Sequence, residues 1–206
     1  MIMLAMVLQA MGIPVDMNEV YGKLYNNALK GNPDCGGLIS YNYISGEPVT
    51  GLAEGRPLFV RSAGDKFNLA NFMRAHLHAS VGVLKIGNDI LFNEEKIKVD
   101  RITGHGGLFK TAGVGQRILA AAINSPISVM ETAGEGGPWG MALLASYLVN
   151  NPKGLALADY LDRVVFAGNT GVEIAPTPED VEGFNKYIEN YKACLGIEEA
   201  AVNCKK

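Results

Sequence analysis

Apolar positions at the start of the chain recur at helical spacing. Met3, Met6, Val7 and Met11 predict a first helix that opens with no cap or lead-in. Residues 17–30, carrying Val20, Leu24 and Leu29, predict a second helix that stops at GNPDCGG. Residues 38–43 alternate as a strand does, and residues 58–61 read as another short strand. Between them SGEPVTGLAEGRP is a long loop punctuated by glycine and proline. Residues 68–92 form the longest predicted helix, with Leu69, Phe72, Met73, Leu77, Val81 and Leu84 on its apolar stripe.

From residue 98 onward strands and helices alternate. Strands are expected at 98–103 and 127–130, helices at 111–123, 138–150 and 155–166, and an extended piece at 172–175. The run TPEDVEGFNKYIENYKACLG closes the pattern as a capped terminal helix. Proline in the first turn suits the helix at 138–150. This order predicts α/β layering with parallel pairing, and 206 residues are enough for one large domain with its own core.

Two glycine clusters interrupt the second half: GHGG at 104–107 and GEGGPWG at 134–140. The dinucleotide template G-x-G-x-x-G fails because Phe109 stands where its last glycine belongs. No Gly-Lys-Ser/Thr triplet exists for a P-loop. Taken alone, the first cluster is equally a strand-to-helix turn whose glycines serve tight packing.

A net charge of −3 supplies no electrostatic reason to expect a nucleic-acid or anionic-membrane partner. The apolar run near 141–149 is about half the length needed to cross a bilayer. Cys35, Cys194 and Cys204 are odd in number and lack CxxC spacing, which argues for a reducing, cytoplasmic setting and against a zinc site. His76, His78 and His105 are a weak metal signal, so no metal ligand is expected.

The stretches GLISYNYISGEP, GRPLFV, FNLANFMRAHL, RITGHGGLFKTAGVGQRILAAAI and EGGPWGMALLASYL together resemble the C-terminal domain of FGGY-type sugar kinases. Within that family they look most like the bacterial xylulose kinases. The resemblance covers residues 1 to about 150, and the last fifty residues are less distinctive. It implies an α/β fold of the actin-like ATPase (ribonuclease H-like) type, in part, with a mixed sheet flanked by helices. It further implies that residues 1–206 are the C-terminal nucleotide-binding part of a sugar kinase, without its N-terminal sugar-binding domain.

The implied activity is transfer of the ATP γ-phosphate to a ketopentose hydroxyl, with ATP and Mg2+ in the complete enzyme. The subgroup resemblance implies D-xylulose to xylulose 5-phosphate and leaves ribulose, gluconate or another polyol open. By this match Gly106 and Gly107 form a turn against the adenosine. Leu108, Phe109 and Thr111 line its pocket, and Gln116 lies one turn further on. The second cluster matches a stretch where small residues let a helix pack closely, so Gly136, Gly137 and Gly140 are expected to serve packing and Trp139 to anchor the helix. Glu131, Glu135, His105 and Lys110 are expected to face solvent, and the Ser45-Gly46-Glu47 loop to be architectural.

Departures mark the limits of the match. The long helix carries Arg74-Ala75-His76-Leu77-His78-Ala79 where many members have Arg-Ala-x-x-Glu-Gly, so nothing is transferred there. No residue matches the family's catalytic aspartate, Asp16 and Asp34 being in the wrong context, and the chain alone is expected to be inactive. The alternative is a stand-alone actin-like module that binds adenine nucleotide or a partner without catalysis. An open sheet edge would favour self-association into a homo-oligomer.

Overall fold

The computed structural model describes residues 2–99, 101–131, 133–151, 154–168 and 171–204. Helix α1 (Ile2–Ala10) and helix α2 (Met17–Ala28) open the chain, α2 being capped by the Asp16 carboxylate, which accepts from Asn18 N. Strands β1 (Ile39–Tyr41) and β2 (Leu58–Val60) pair antiparallel, with Ser40 opposite Phe59. The loop between them closes on itself through reciprocal backbone bonds between Glu47 and Leu52.

Helix α3 (Leu69–Asp89) begins where Asn68 accepts from Asn71 N, the side-chain cap that its sequence position favours. Met73, Leu77 and Val81 are buried as its apolar stripe predicts, whereas Leu69 and Leu84 at either end are exposed. The buried face is wider than that stripe, because Asn71, Arg74 and His78 are also enclosed. Each is hydrogen-bonded, which is what makes its burial tolerable.

The second half carries a three-stranded sheet in the order β3 (Ile102–Thr103), β4 (Ile127–Val129), β5 (Val172–Ile174). β3 and β4 are parallel, joined by helix α4 (Val114–Ile123), as the alternation predicts. β5 runs antiparallel to β4, against the parallel pairing that the alternation predicts, and this gives the mixed sheet that the family resemblance implies. It reaches β4 after helix α5 (Gly136–Val149) and the short helix α6 (Leu157–Tyr160), a longer return than one crossover helix.

Of the strand expected over 98–103, Asp100 lies outside the described residues, and among the described ones Ile102 and Thr103 pair, Ile102 opposite Ile127 at the start of β4. The helix expected over 111–123 starts only at Val114, after Gly113 takes a left-handed φ of 76°. The helix expected over 155–166 divides into α6 and a wider turn at Leu161–Val165.

Helix α7 (Pro178–Ala193) starts at Thr177, whose hydroxyl accepts from Asp180 N, with proline at its first position. The terminal helix expected as far as Gly196 ends at Ala193, and the chain then resumes as helix α8 (Leu195–Asn203), most of which lies beyond the expected helix. The main core gathers Leu38, Ile39, Tyr41, Met73, Leu77, Ile118, Ala121, Ile127, Phe184, Tyr187 and Tyr191 from both halves of the chain. Thus α7 is as much part of this core as α3 and α4. By contrast, no described side chain of α5 is buried, and Leu148 and Val149 are 82% and 81% exposed. Among the described residues no helix is long and apolar enough to cross a membrane.

Candidate nucleotide site

Strand β3 runs directly into the first glycine cluster. Gly104 N donates to Ser128 O at 2.9 Å, the last rung of the β3–β4 ladder. A side chain on Gly104 would collide with the Phe109 ring, so this glycine lets Phe109 fold back over the strand end. Gly106 then adopts φ 105° and ψ −177°, a conformation essentially reserved for glycine. A tight 3-10 turn, Gly107–Phe109, follows, with Phe109 N donating to Gly106 O and Lys110 N to Gly107 O. Two left-handed or near-left-handed glycines, Gly106 and Gly113, therefore bracket the turn.

The second cluster comes to lie against the first. Gly106 N donates to Ala133 O at 2.7 Å. A methyl group on Gly136 would sit 3.4 Å from His105 Cβ, and one on Gly134 would sit 3.2 Å from Lys110 Cγ. The two loops thus share one face, and α5 starts from it. This corrects the packing role expected for Gly137 and Gly140. A side chain built on either would meet nothing within 4 Å, as would one on Gly107. Only Gly134 and Gly136 are pressed against neighbours; Gly107 and Gly137 leave bare backbone facing open space.

The predicted site residues divide accordingly. Gly107 is exposed, while Gly106 and Thr111 are half-buried, and Thr111 O accepts from Val114 N at the start of α4. Leu108 and Phe109 are half-buried and pack toward the core, with the Leu108 carbonyl and side chain against Gly115. Gln116 is buried, and its amide nitrogen donates to Ile127 O at 3.1 Å and Val172 O at 2.8 Å. It therefore ties α4 to β4 and β5 behind the turn. His105, Lys110 and Glu131 are exposed; the side chain of Glu135 lies outside the described residues. Trp139 is half-buried, with its indole N–H enclosed and no hydrogen-bond acceptor.

Sequence reasoning missed the Ala133 carbonyl, which joins the clusters, because a backbone acceptor leaves no mark on residue type. The three histidines do not act together. His76 Nδ1 bonds Ser40 Oγ at 2.9 Å, His78 bonds Cys35 and Arg74, and His105 sits in the glycine turn. Among the described residues no group of three His, Cys, Asp or Glu side chains is placed to hold a metal.

A separate cleft of about 860 Å³ opens between α1 and α3. Its walls are mainly apolar, with Met3, Leu4, Phe67 and Phe72, and it shares only Leu108 with the glycine turn.

The profile of the FGGY family of carbohydrate kinases, C-terminal domain, matches residues 9–149, a span that contains both glycine clusters. The chain belongs to this family. No curated protein matches it in sequence. Among solved structures, this FGGY chain is similar to the ligand-bound xylulose kinase from Lactobacillus acidophilus, at 20% identity and a TM-score of 0.63, over 86% of this chain and 35% of that one. It is similar to the gluconate kinase from the same organism at 21% identity and a TM-score of 0.62, again over 86% and 35%. The glycerol kinase from Plasmodium falciparum, solved with ADP, shares 16% identity at a TM-score of 0.63, over 95% of this chain and 36% of that one. The FGGY chain thus spans about a third of the length of these kinases. The likeness shows the fold, an actin-like (ribonuclease H-like) α/β domain with a mixed sheet flanked by helices.

Proposed function

We propose that the chain forms the adenosine side of the nucleotide site of an ATP-dependent sugar kinase. Gly106 and Gly107 would be the turn against the nucleoside, and Leu108, Phe109 and Thr111 its border. The observation that supports this reading is the face shared by the two glycine clusters, where Gly107 and Gly137 leave space that any side chain would fill. Bare backbone of this kind can approach a flat purine closely. Helix α5 starts from this face, and the positive end of its dipole favours an anionic group there. Residues and nucleotide therefore fit one another.

Bound ATP would supply the γ-phosphate for transfer to a sugar hydroxyl. In this reading the turn 104–111 holds and orients the nucleoside, and Gln116 keeps α4 behind it in register with β4 and β5. Residues 1–206 would act as a C-terminal nucleotide-binding part. The sugar contacts, the catalytic base and most of the hold on Mg2+ would come from an N-terminal domain, so the chain would not phosphorylate a sugar by itself. A ketopentose such as D-xylulose is the proposed substrate, supported by the xylulose kinase among the fold relatives.

The test is calorimetric titration of the chain with ADP beside Gly107→Val. Gly107 has free space around it and no left-handed φ, so valine is tolerated by the fold while occupying the proposed nucleotide face. Saturable binding by the parent and its loss in the variant is the expected result. A variant that binds ADP as well as the parent does, or a parent that does not bind at all, would sink the proposal.

A further inference from the structure

The segment beyond the family match touches the first turn of α4 at three points. The Ile174 side chain of β5 lies under Gly113, 3.6 Å from where a methyl group there would be. The Val172 carbonyl accepts from Gln116. On the next residue, Arg117 Nε donates to Asp180 Oδ2 at 2.6 Å. The same carboxylate accepts from Arg74 Nη2 of α3 through its other oxygen, also at 2.6 Å, and Oδ2 takes the Thr177 hydroxyl at 2.8 Å. Asp180 is thus fully committed, at a point where α3, α4 and α7 meet. α4 in turn is continuous with the glycine turn, whose last hydrogen bond, Val114 N to Thr111 O, lies three residues before Arg117.

We infer that Asp180 is a positioning residue for the glycine turn: through Arg117 it fixes the first turn of α4, and through α4 the backbone of residues 107–113. The inference rests on the proposed nucleotide site only for its functional meaning, since the clamp itself is a property of the turn. A charged hydrogen bond at each end of a bridging carboxylate is strong and directional, which suits it to holding one helix against two others. A second α7 ion pair, Lys186 with Asp34 at 2.7 Å, ties that helix to the loop before β1 rather than to α4. It provides the internal control.

The test is amide hydrogen exchange, followed by NMR on the full chain, for Arg117→Gln, Asp180→Asn and Lys186→Gln. Arg117 is 41% exposed, so its replacement breaks the clamp on α4 while Asp180 keeps Arg74. Expected is about tenfold faster exchange at Phe109, Lys110 and Val114 in Arg117→Gln, with the amides of Tyr187 and Ile188 in α7 unchanged. Lys186→Gln should leave the turn amides at parental rates. Asp180→Asn, if folded, should speed the turn amides at least as much as Arg117→Gln does while also loosening α7 from α3 through the loss of the Arg74 pair. Unchanged turn amides in Arg117→Gln, an equal acceleration throughout the molecule, or the same effect from Lys186→Gln would each overturn the inference. ADP titration of the same proteins separates the two ideas. A parent that binds should lose affinity several-fold in Arg117→Gln, whereas a parent that does not bind removes the nucleotide reading and leaves the exchange rates to judge the clamp.

Discussion

Asp180 and Arg74 meet at 2.6 Å with their side chains only 3% and 2% exposed, although 106 residues separate them in the chain. Burying two charges is costly, and the structure offsets that cost by giving the carboxylate further donors in Arg117 and Thr177 and the guanidinium a further acceptor in Gly31 O. The pair ties α7 to α3 and commits both partners.

Removing one partner should therefore be far worse than removing both. Asp180→Ala is expected to cost about 3–5 kcal/mol, because it strands a buried guanidinium. The double change Arg74→Met with Asp180→Leu should recover much of that loss. Urea midpoints at pH 7 decide the matter, and an Asp180→Ala protein within about 1 kcal/mol of the parent would contradict the buried-pair account.

Acid should weaken the fold through His78. Its ring is fully enclosed, and burial first, then the Arg74 guanidinium, hold its pKa well below the ordinary 6.5. The unfolded chain takes up a proton near pH 6.5 that the folded chain refuses, so stability falls as pH drops below that value. His76, lowered mainly by burial, adds in the same direction. Burial alone would raise Asp180, but hydrogen bonds from Arg117, Arg74 and Thr177 outweigh it and keep the group below its ordinary 3.8. Its contribution is present above that value and is lost at still lower pH. Urea midpoints at pH 7.5 and 5.5 should differ, with a smaller difference in His78→Gln. Equal midpoints in the parent would refute this.

Neighbouring glycines in the turn should respond in opposite ways. Gly106→Ala forces an L side chain to φ 105° and should destabilise by about 1–3 kcal/mol. Gly107→Ala meets neither strain nor a neighbour and should fall within about 0.5 kcal/mol of the parent. Thermal unfolding of the two variants checks the contrast, and equal melting temperatures would remove the argument from backbone geometry.

Two helix glycines make a second pair. A methyl group on Gly183 of α7 would overlap Pro33, backbone included, so Gly183→Ala should push α7 off the loop before β1 at a cost of about 1–3 kcal/mol. Gly22, inside α2 with nothing within 4 Å, should stabilise by about 0.5–1 kcal/mol on changing to alanine. Denaturant midpoints again suffice, and a neutral Gly183→Ala would mean that α7 can shift freely.

The order of elements was readable residue by residue because its causes are local. Asn68 stands one position before α3, and Thr177 with Pro178 opens α7, since caps act over two or three residues. The glycine cluster at 104–107 was recognisable as a turn for the same reason: a strand ending at Thr103 and a φ that only glycine tolerates are both written into adjacent residues. What neighbouring residues cannot specify is which distant group arrives. The residues around Gln116 do not say that its amide nitrogen bonds two strand carbonyls, one of them 56 residues away. The second glycine cluster reads as close packing, yet Gly137 and Gly140 face open space because α5 buries none of its described side chains.

Sequence alone thus determined the order of most helices and strands, the capped start of the terminal helix and the family, because hydrophobic period, capping chemistry and glycine geometry act within a few residues. Tertiary structure decided that the two glycine clusters share a face, that β5 turns antiparallel, and that Asp180 joins Arg74 to Arg117. These depend on long loops closing and buried charges finding partners, and such choices are made only when the whole core is assembled.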